Sequence, residues 1–227
     1  MASLYPITVV DNILEYPDKI VDFAMEQEFE GDERGAWPGK RSAPLHVLSP
    51  ELFEYISKRI FRSYYPADSM YRWDTDMFFQ IIHPFRECPH TGTKWEETSN
   101  RNRGWIHQDK LSQMGGVIYL NRYPESNTGT TLYKLKKGWD KPYPEDVQVK
   151  ERFYRDEHVL DNDYEFAFDR CNGSYEPTVT VNNEYNRLCL FSNDVYHGAE
   201  TFGISQPRIT IAFFHNNLWG VQQPLLR

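Results

Sequence analysis

Hydrophobic and polar positions change their period along this chain. Residues Ile7–Leu14 read as an opening strand. Pro17 then starts a helical pattern, with Ile20, Val21, Phe23, Ala24 and Phe29 near helical spacing. Gly31, Gly35, Pro38, Gly39 and Pro44 break residues 30–44 into a loop. A second helix is predicted from Ser49-Pro50, a capping residue followed by proline at the first helical position, with Leu52, Phe53, Ile56, Ile60 and Phe61 on its apolar face. From Met77 onward the pattern turns to strands. Met77–Ile82 is a short apolar run, and Pro84, Pro89 and Gly92 make residues 83–103 a long loop. Gly115–Asn121 and Thr130–Leu135 read as strands paired through the turn-rich Arg122–Gly129. Three more strands are expected at Thr178–Val181, Arg187–Phe191 and Ile209–Phe214. Between them, residues 136–177 are least regular, with a short polar helix at Glu145–Arg155 and an acidic, aromatic stretch at Asp161–Gly173.

This pattern predicts a mostly β (α+β) fold in one domain over residues 1–227. Residues 1–75 form a helical support, 76–135 and 178–216 the core strands, and 136–177 an insertion. The chain's 227 residues suit a single large β-rich unit. Its 15% aromatic content suits packed sheet faces better than a helical bundle.

Charge narrows the partners. A net charge of −8 argues against binding nucleic acid over a broad surface, which needs clustered Lys and Arg. Cys88, Cys171 and Cys189 are odd in number and widely spaced, so no disulfide framework is implied and a reducing, cytoplasmic setting fits. The N-terminus has no basic start followed by a long apolar run, and no uncharged apolar stretch is long enough to span a membrane.

The chemistry is concentrated in Trp105-Ile106-His107-Gln108-Asp109. In an extended segment, residues i and i+2 point to one side, so His107 and Asp109 can aim at one point. An imidazole and a carboxylate so placed supply two ligands of the facial triad of non-haem Fe(II) oxygenases. The third must be a histidine from another strand, and His197 in Tyr196-His197-Gly198 follows the apolar strand Arg187–Phe191. Such a set leaves open positions for a bidentate cosubstrate and O2. Eleven residues beyond His197 comes Arg208-Ile209-Thr210, in which Arg208 and Thr210 share a strand face. A guanidinium beside a hydroxyl is shaped to clamp a carboxylate.

His-x-Asp, a distant His and Arg-x-Thr in this order resemble the Fe(II)/2-oxoglutarate-dependent dioxygenases, particularly prolyl-hydroxylase-like members and uncharacterised bacterial and phage oxygenases. The text GWIHQDK is similar to the ligand-bearing segment, GGVIYLN and NTGTTLYKL to the strands after it, and NRLCLFSNDVYHGAE to the segment with the distal histidine. The resemblance implies a double-stranded β-helix, a cupin-like jelly roll with N-terminal helices packed on one side. It implies Fe(II) on His107, Asp109 and His197. The distal carboxylate of 2-oxoglutarate falls to Arg208 with Tyr119, Thr210 assists, and Gln80 contacts cosubstrate or substrate. It also implies O2 as oxidant, ascorbate as an optional reductant, and hydroxylation of a small-molecule, amino-acid, peptide or protein substrate coupled to decarboxylation. Residues 136–177 do not match the family's core. The alternative is a cupin-like metal protein or enzyme that does not use 2-oxoglutarate; the oligomeric state is left open.

Other polar residues have plainer expectations. His83, Cys88 and His90 lack the second cysteine pair of a zinc site. His215 is expected at a strand end, His46 and His158 in solvent, Trp105 packed at the edge of the site, and Arg101-Asn102-Arg103 in a solvated loop.

Overall fold

The computed structural model describes residues 7–63, 65, 72–96, 98–109, 111–139, 143–192 and 194–219. The opening residues 1–6, on which the expectation of no leader partly rests, lie outside this set.

Among the described residues, ten strands form two antiparallel sheets. The strands are β1 (Ile7–Val10), β2 (Glu30–Gly31), β3 (Lys40–Arg41), β4 (Arg72–Ile82), β5 (Met114–Tyr119), β6 (Thr130–Leu135), β7 (Tyr175–Val181), β8 (Leu188–Ser192), β9 (Tyr196–Ala199) and β10 (Arg208–Trp219). The larger sheet runs β1-β8-β5-β10-β4-β3-β2, the smaller β7-β6-β9. The helices are α1 (Pro17–Met25), α2 (Leu45–Leu48), α3 (Pro50–Arg62), α4 (Pro144–Tyr154) and α5 (Asp161–Gly173). Among the described residues, no helix is long and apolar enough to cross a membrane.

Local signals explain the helices. Pro17 and Pro50 sit in the first turns of α1 and α3, and the Ser49 hydroxyl accepts the Leu52 N–H at 3.3 Å. Ile20, Val21 and Ala24 of α1 and Ile56, Ile60 and Phe61 of α3 are buried in one core with Met77, Phe79, Ile118, Leu188, Leu190, Ile211 and Phe213 from the larger sheet. Because strand residues alternate between faces, Gln80, Tyr119, Cys189, Arg208 and Thr210 belong to the opposite face. There Tyr119, Leu132, Val181, Cys189, Phe191 and Val195 form an inner cluster drawn from both sheets.

Three expectations are corrected. β5 and β6 do not pair as a hairpin: β5 lies between β8 and β10, and β6 between β7 and β9. The segment joining them carries the chain from one sheet to the other, which lets each sheet cover one side of the inner cluster. The loop 30–44 contributes β2 and β3, with Lys40 and Arg41 paired to Ile81 and Gln80. Arg101 and Asn102 are buried. Arg101 bonds Asp161 at 2.6 Å and Glu165 at 2.7 Å, and lies over the Trp95 and Tyr164 rings. A guanidinium can be buried there because carboxylates and aromatic faces replace its water.

His215 is also not at a strand end. It is fully buried within β10, with Nδ1 2.7 Å from Thr75 Oγ1, its ring stacked on Phe61, and Nε2 without a partner. Burial pushes its pKa down to about 3. The unfolded chain therefore takes up this proton near the ordinary histidine value while the folded chain does not. Stability is full above that value and falls as pH drops from about 6.5 toward 3, by up to about 1.4 kcal/mol per pH unit. Urea unfolding at pH 7 and pH 5 should show this loss, and His215→Gln should shrink it. An unchanged difference would place the acid sensitivity elsewhere.

Candidate metal centre

His107 and His197, distant in sequence, face each other across a reciprocal backbone bridge. His107 N–H donates to His197 O at 3.0 Å and His197 N–H to His107 O at 2.9 Å. β9 is held in turn by β6, with His197 opposite Leu132. The two imidazole centroids are 4.4 Å apart. Asp109 turns back to the same point, with Oδ1 3.7 Å from His107 Nε2 and Oδ2 3.3 Å from His197 Nε2. A Cβ on Gly115 would stand 3.3 Å from Asp109 Oδ2, so glycine leaves room for the carboxylate. The three ligand atoms lie within 4.8 Å of one another, and no other trio of His, Cys, Asp or Glu among the described residues does so. His83, Cys88 and His90 are thus not assembled into a site.

The imidazoles are oriented by their own backbone. His107 Nδ1 bonds Trp105 O at 2.8 Å and His197 Nδ1 bonds Val195 O at 3.1 Å. With Nδ1 the donor, the Nε2 lone pairs converge beside Asp109, as metal-binding histidines require. The enclosing cavity walls push His107 down to about 4 although its side chain faces the cavity opening, with the neighbouring His197 adding to it. Burial opposes charge on His197 too, but Asp109 outweighs it and raises that imidazole. Burial alone would raise the Asp109 carboxyl; His197, His107 and Arg41 hold it below the usual carboxylate range instead. A carboxylate that stays ionised beside two imidazoles suits a divalent cation. A metal there would be a shared partner that removes the need for a proton between them.

The insertion braces the ligand segment. Trp105 is buried, its Nε1 donates to Tyr164 Oη at 3.0 Å, and it meets Phe168 edge-on. The Asn172 amide accepts from Ile106 N at 3.1 Å and donates to Gly104 O at 3.0 Å. α5 therefore fixes the backbone that leads into His107. α4 supplies Lys150 and Tyr154 to the wall of the cavity.

This cavity holds about 480 Å³, within the roughly 300–1,000 Å³ of small-ligand clefts. It contains all three triad residues together with Gln80 and Arg208. Arg208 is buried; its Nε donates to Thr128 O at 2.9 Å, one terminal nitrogen reaches Thr130 Oγ1 at 3.5 Å, and it lies over the Tyr119 ring. Among the described residues no carboxylate pairs with it. Gln80, Thr210 and Tyr119 are cross-strand neighbours in one row over β4, β10 and β5. Gln80 lines the cavity with its amide tied to Pro38 O at 3.0 Å. Tyr119 and Thr210 are sealed beneath the wall. Tyr119 Oη donates to Thr130 Oγ1 at 2.8 Å, and Thr130 lines the cavity, so Tyr119 stands behind a lining residue. The Thr210 hydroxyl is buried without a partner.

Sequence reasoning missed Thr130, Trp37, Arg41, Lys150 and Tyr154 at this site. Thr130 carries no motif, and the other four come from segments whose packing no local pattern announces.

The same architecture occurs in solved structures. A prolyl hydroxylase from Trichoplax adhaerens, in complex with a hypoxia inducible factor oxygen degradation domain peptide, has 10% identity and a TM-score of 0.52 over 92% of this chain and 83% of that one. HygX from Streptomyces hygroscopicus, with nickel and 2-oxoglutarate bound, has 9% identity and a TM-score of 0.54 over 93% and 82%. The epimerase SnoN, in complex with Fe3+, α-ketoglutarate and nogalamycin RO, has 12% identity and a TM-score of 0.50 over 94% and 80%. At these identities the likeness is one of fold, and it matches the resemblance read from the sequence. No curated protein matches the chain in sequence. The profile of a family of unknown function, DUF6445, matches residues 2–206, and the chain belongs to that family.

Proposed function

We propose that this chain is an Fe(II)- and 2-oxoglutarate-dependent oxygenase with a double-stranded β-helix core, and that it hydroxylates a C–H bond of its substrate. One observation carries the reading: Arg208 is a buried guanidinium without a carboxylate among the described residues, facing the cavity that holds the triad. Burying an unpaired charge is costly, so its partner arrives with a ligand. A metal protein with no 2-oxoglutarate has no use for that charge.

His107, Asp109 and His197 would hold the metal. When bound, Fe(II) supplies the reduction of O2 coupled to decarboxylation of 2-oxoglutarate to succinate. The chain's own residues bind and position. Arg208 with Thr130 takes the distal carboxylate. Tyr119 fixes the Thr130 hydroxyl, and the Thr210 hydroxyl is a spare donor behind them. Phe191, Phe202 and Phe214 line the cavity and limit water around the reacting groups. Asp109 as a ligand argues against halogenation, which needs that position free for halide.

Protein loaded anaerobically with Fe(II) and then given O2 should convert 2-oxoglutarate to succinate slowly without any substrate. If no succinate forms and 2-oxoglutarate does not bind the metal-loaded protein, the reading fails.

A further inference from the structure

We propose that the substrate to be oxidised is a small molecule bearing a carboxylate, and that Arg41, Lys150 and the Trp37 indole N–H receive that group; this rests on the oxygenase reading above. Arg41 stands on β3 opposite Gln80, so it extends the row Gln80–Thr210–Tyr119 outward along one sheet face. β3 lies two strands from β10, roughly 10 Å at the usual strand spacing, which separates Arg41 from the Arg208 end of the cavity.

The guanidinium is held by aromatic faces rather than by a direct ion pair. It lies 4.0 Å from the Trp37 ring centroid, 5.2 Å from that of Phe214 and 5.5 Å from that of Phe78. Its Nε is buried without a partner, and so is Trp37 Nε1. Three acids act on it through space, Asp76 from the cavity wall itself, but none among the described residues forms an ion pair with it. Asp109 faces the two histidines, Asp76 accepts from Asn216 at 2.9 Å, and Asp32 accepts from Ala36 N at 2.7 Å. Lys150 is half-buried on α4, and among the described residues its ammonium reaches only Ala36 O, at 3.5 Å. Burial lowers its pKa, which signals a cation short of compensating charge.

The backbone holds these groups together. Gly35 has φ +68°, and a Cβ there would stand 2.0 Å from Glu151 O, so the loop lies directly against α4 beside Lys150. Gly39 has φ +72°, and a Cβ there would stand 2.3 Å from Ile81 O, which seats the same loop on β4 just before Arg41. Arg41, Lys150 and the unpaired Trp37 N–H therefore share one end of a cavity whose other end, at Arg208, serves the cosubstrate. A carboxylate accepts from the flat edge of a guanidinium and from a neighbouring ammonium at once.

The test is calorimetric titration, without O2, of the Fe(II)-loaded protein saturated with 2-oxoglutarate. The probes are the free amino acids and short peptides, each as the acid and as the C-terminal amide, with phosphoserine and phosphoethanolamine as further arms. At least one acid should bind at least about tenfold more tightly than its amide, the size expected for a lost charged hydrogen bond. Arg41→Gln and Lys150→Gln should each weaken that acid more than they weaken 2-oxoglutarate, whose binding also reports that the variants are folded. Tighter binding of free acids than of peptide acids supports a small molecule; the reverse overturns that part. The proposal is overturned if no acid binds better than its amide, if phosphoethanolamine binds best, or if Arg41→Gln leaves acid binding unchanged. If 2-oxoglutarate does not bind at all, the oxygenase reading fails separately, and the acid titrations repeated without it still decide the role of Arg41.

Discussion

His107→Ala is expected to lower Fe(II) affinity at least about 100-fold, beyond the 10–100-fold typical of losing an outer-shell partner. The wild-type chain should bind one Fe(II) without O2, read by competition with a chromogenic chelator. The size follows from geometry. His107, Asp109 and His197 present one ligand atom each, and among the described residues no other His, Cys, Asp or Glu completes such a group. Removing His107 leaves two ligands and opens the site further, because its side chain already faces the cavity at 47% exposure while that of His197 is at 8%. The backbone bridge to His197 does not need the imidazole, so the fold should survive, with an unfolding midpoint close to that of the metal-free wild type. Retained iron affinity in a folded variant would move the metal elsewhere.

Arg208→Met is expected to raise the 2-oxoglutarate requirement at least about tenfold, since losing a charged hydrogen bond costs about 1.5–3 kcal/mol. Iron affinity should stay as it was. The same variant separates a binding role from a structural one. Arg208 is buried without a carboxylate, so the metal-free protein carries an uncompensated charge. Replacing it with an apolar side chain of similar length removes that charge, and the metal-free variant should be no less stable than the wild type. A large loss of stability with unchanged 2-oxoglutarate binding would make Arg208 a structural residue.

Local signals were legible where neighbours in sequence are also neighbours in the fold. Ser49-Pro50 marked the start of α3, and the strand read at Thr130–Leu135 is β6. β4 extends further back than its apolar run because Arg72–Asp76 is polar yet pairs along the far half of β10. β9 is four residues long and has too little pattern to announce itself; it is a strand because β6 and the His107 segment hold it on either side.

The sequence by itself determined the order of chemistry along the chain: His-x-Asp on extended backbone, a distant histidine, and an arginine and a threonine on one strand face. Those features depend on side-chain type and on a two-residue period, which are local properties. Tertiary structure alone decided which groups share the cavity. The His107–His197 bridge joins remote segments, Thr130 lines the cavity with Tyr119 bonded behind it, Arg101 leaves solvent to meet Asp161, and Arg41 and Lys150 arrive from a loop and an inserted helix. The physical reason is that burial and charge pairing belong to contacts between distant segments, and no period along the chain encodes which segments will meet.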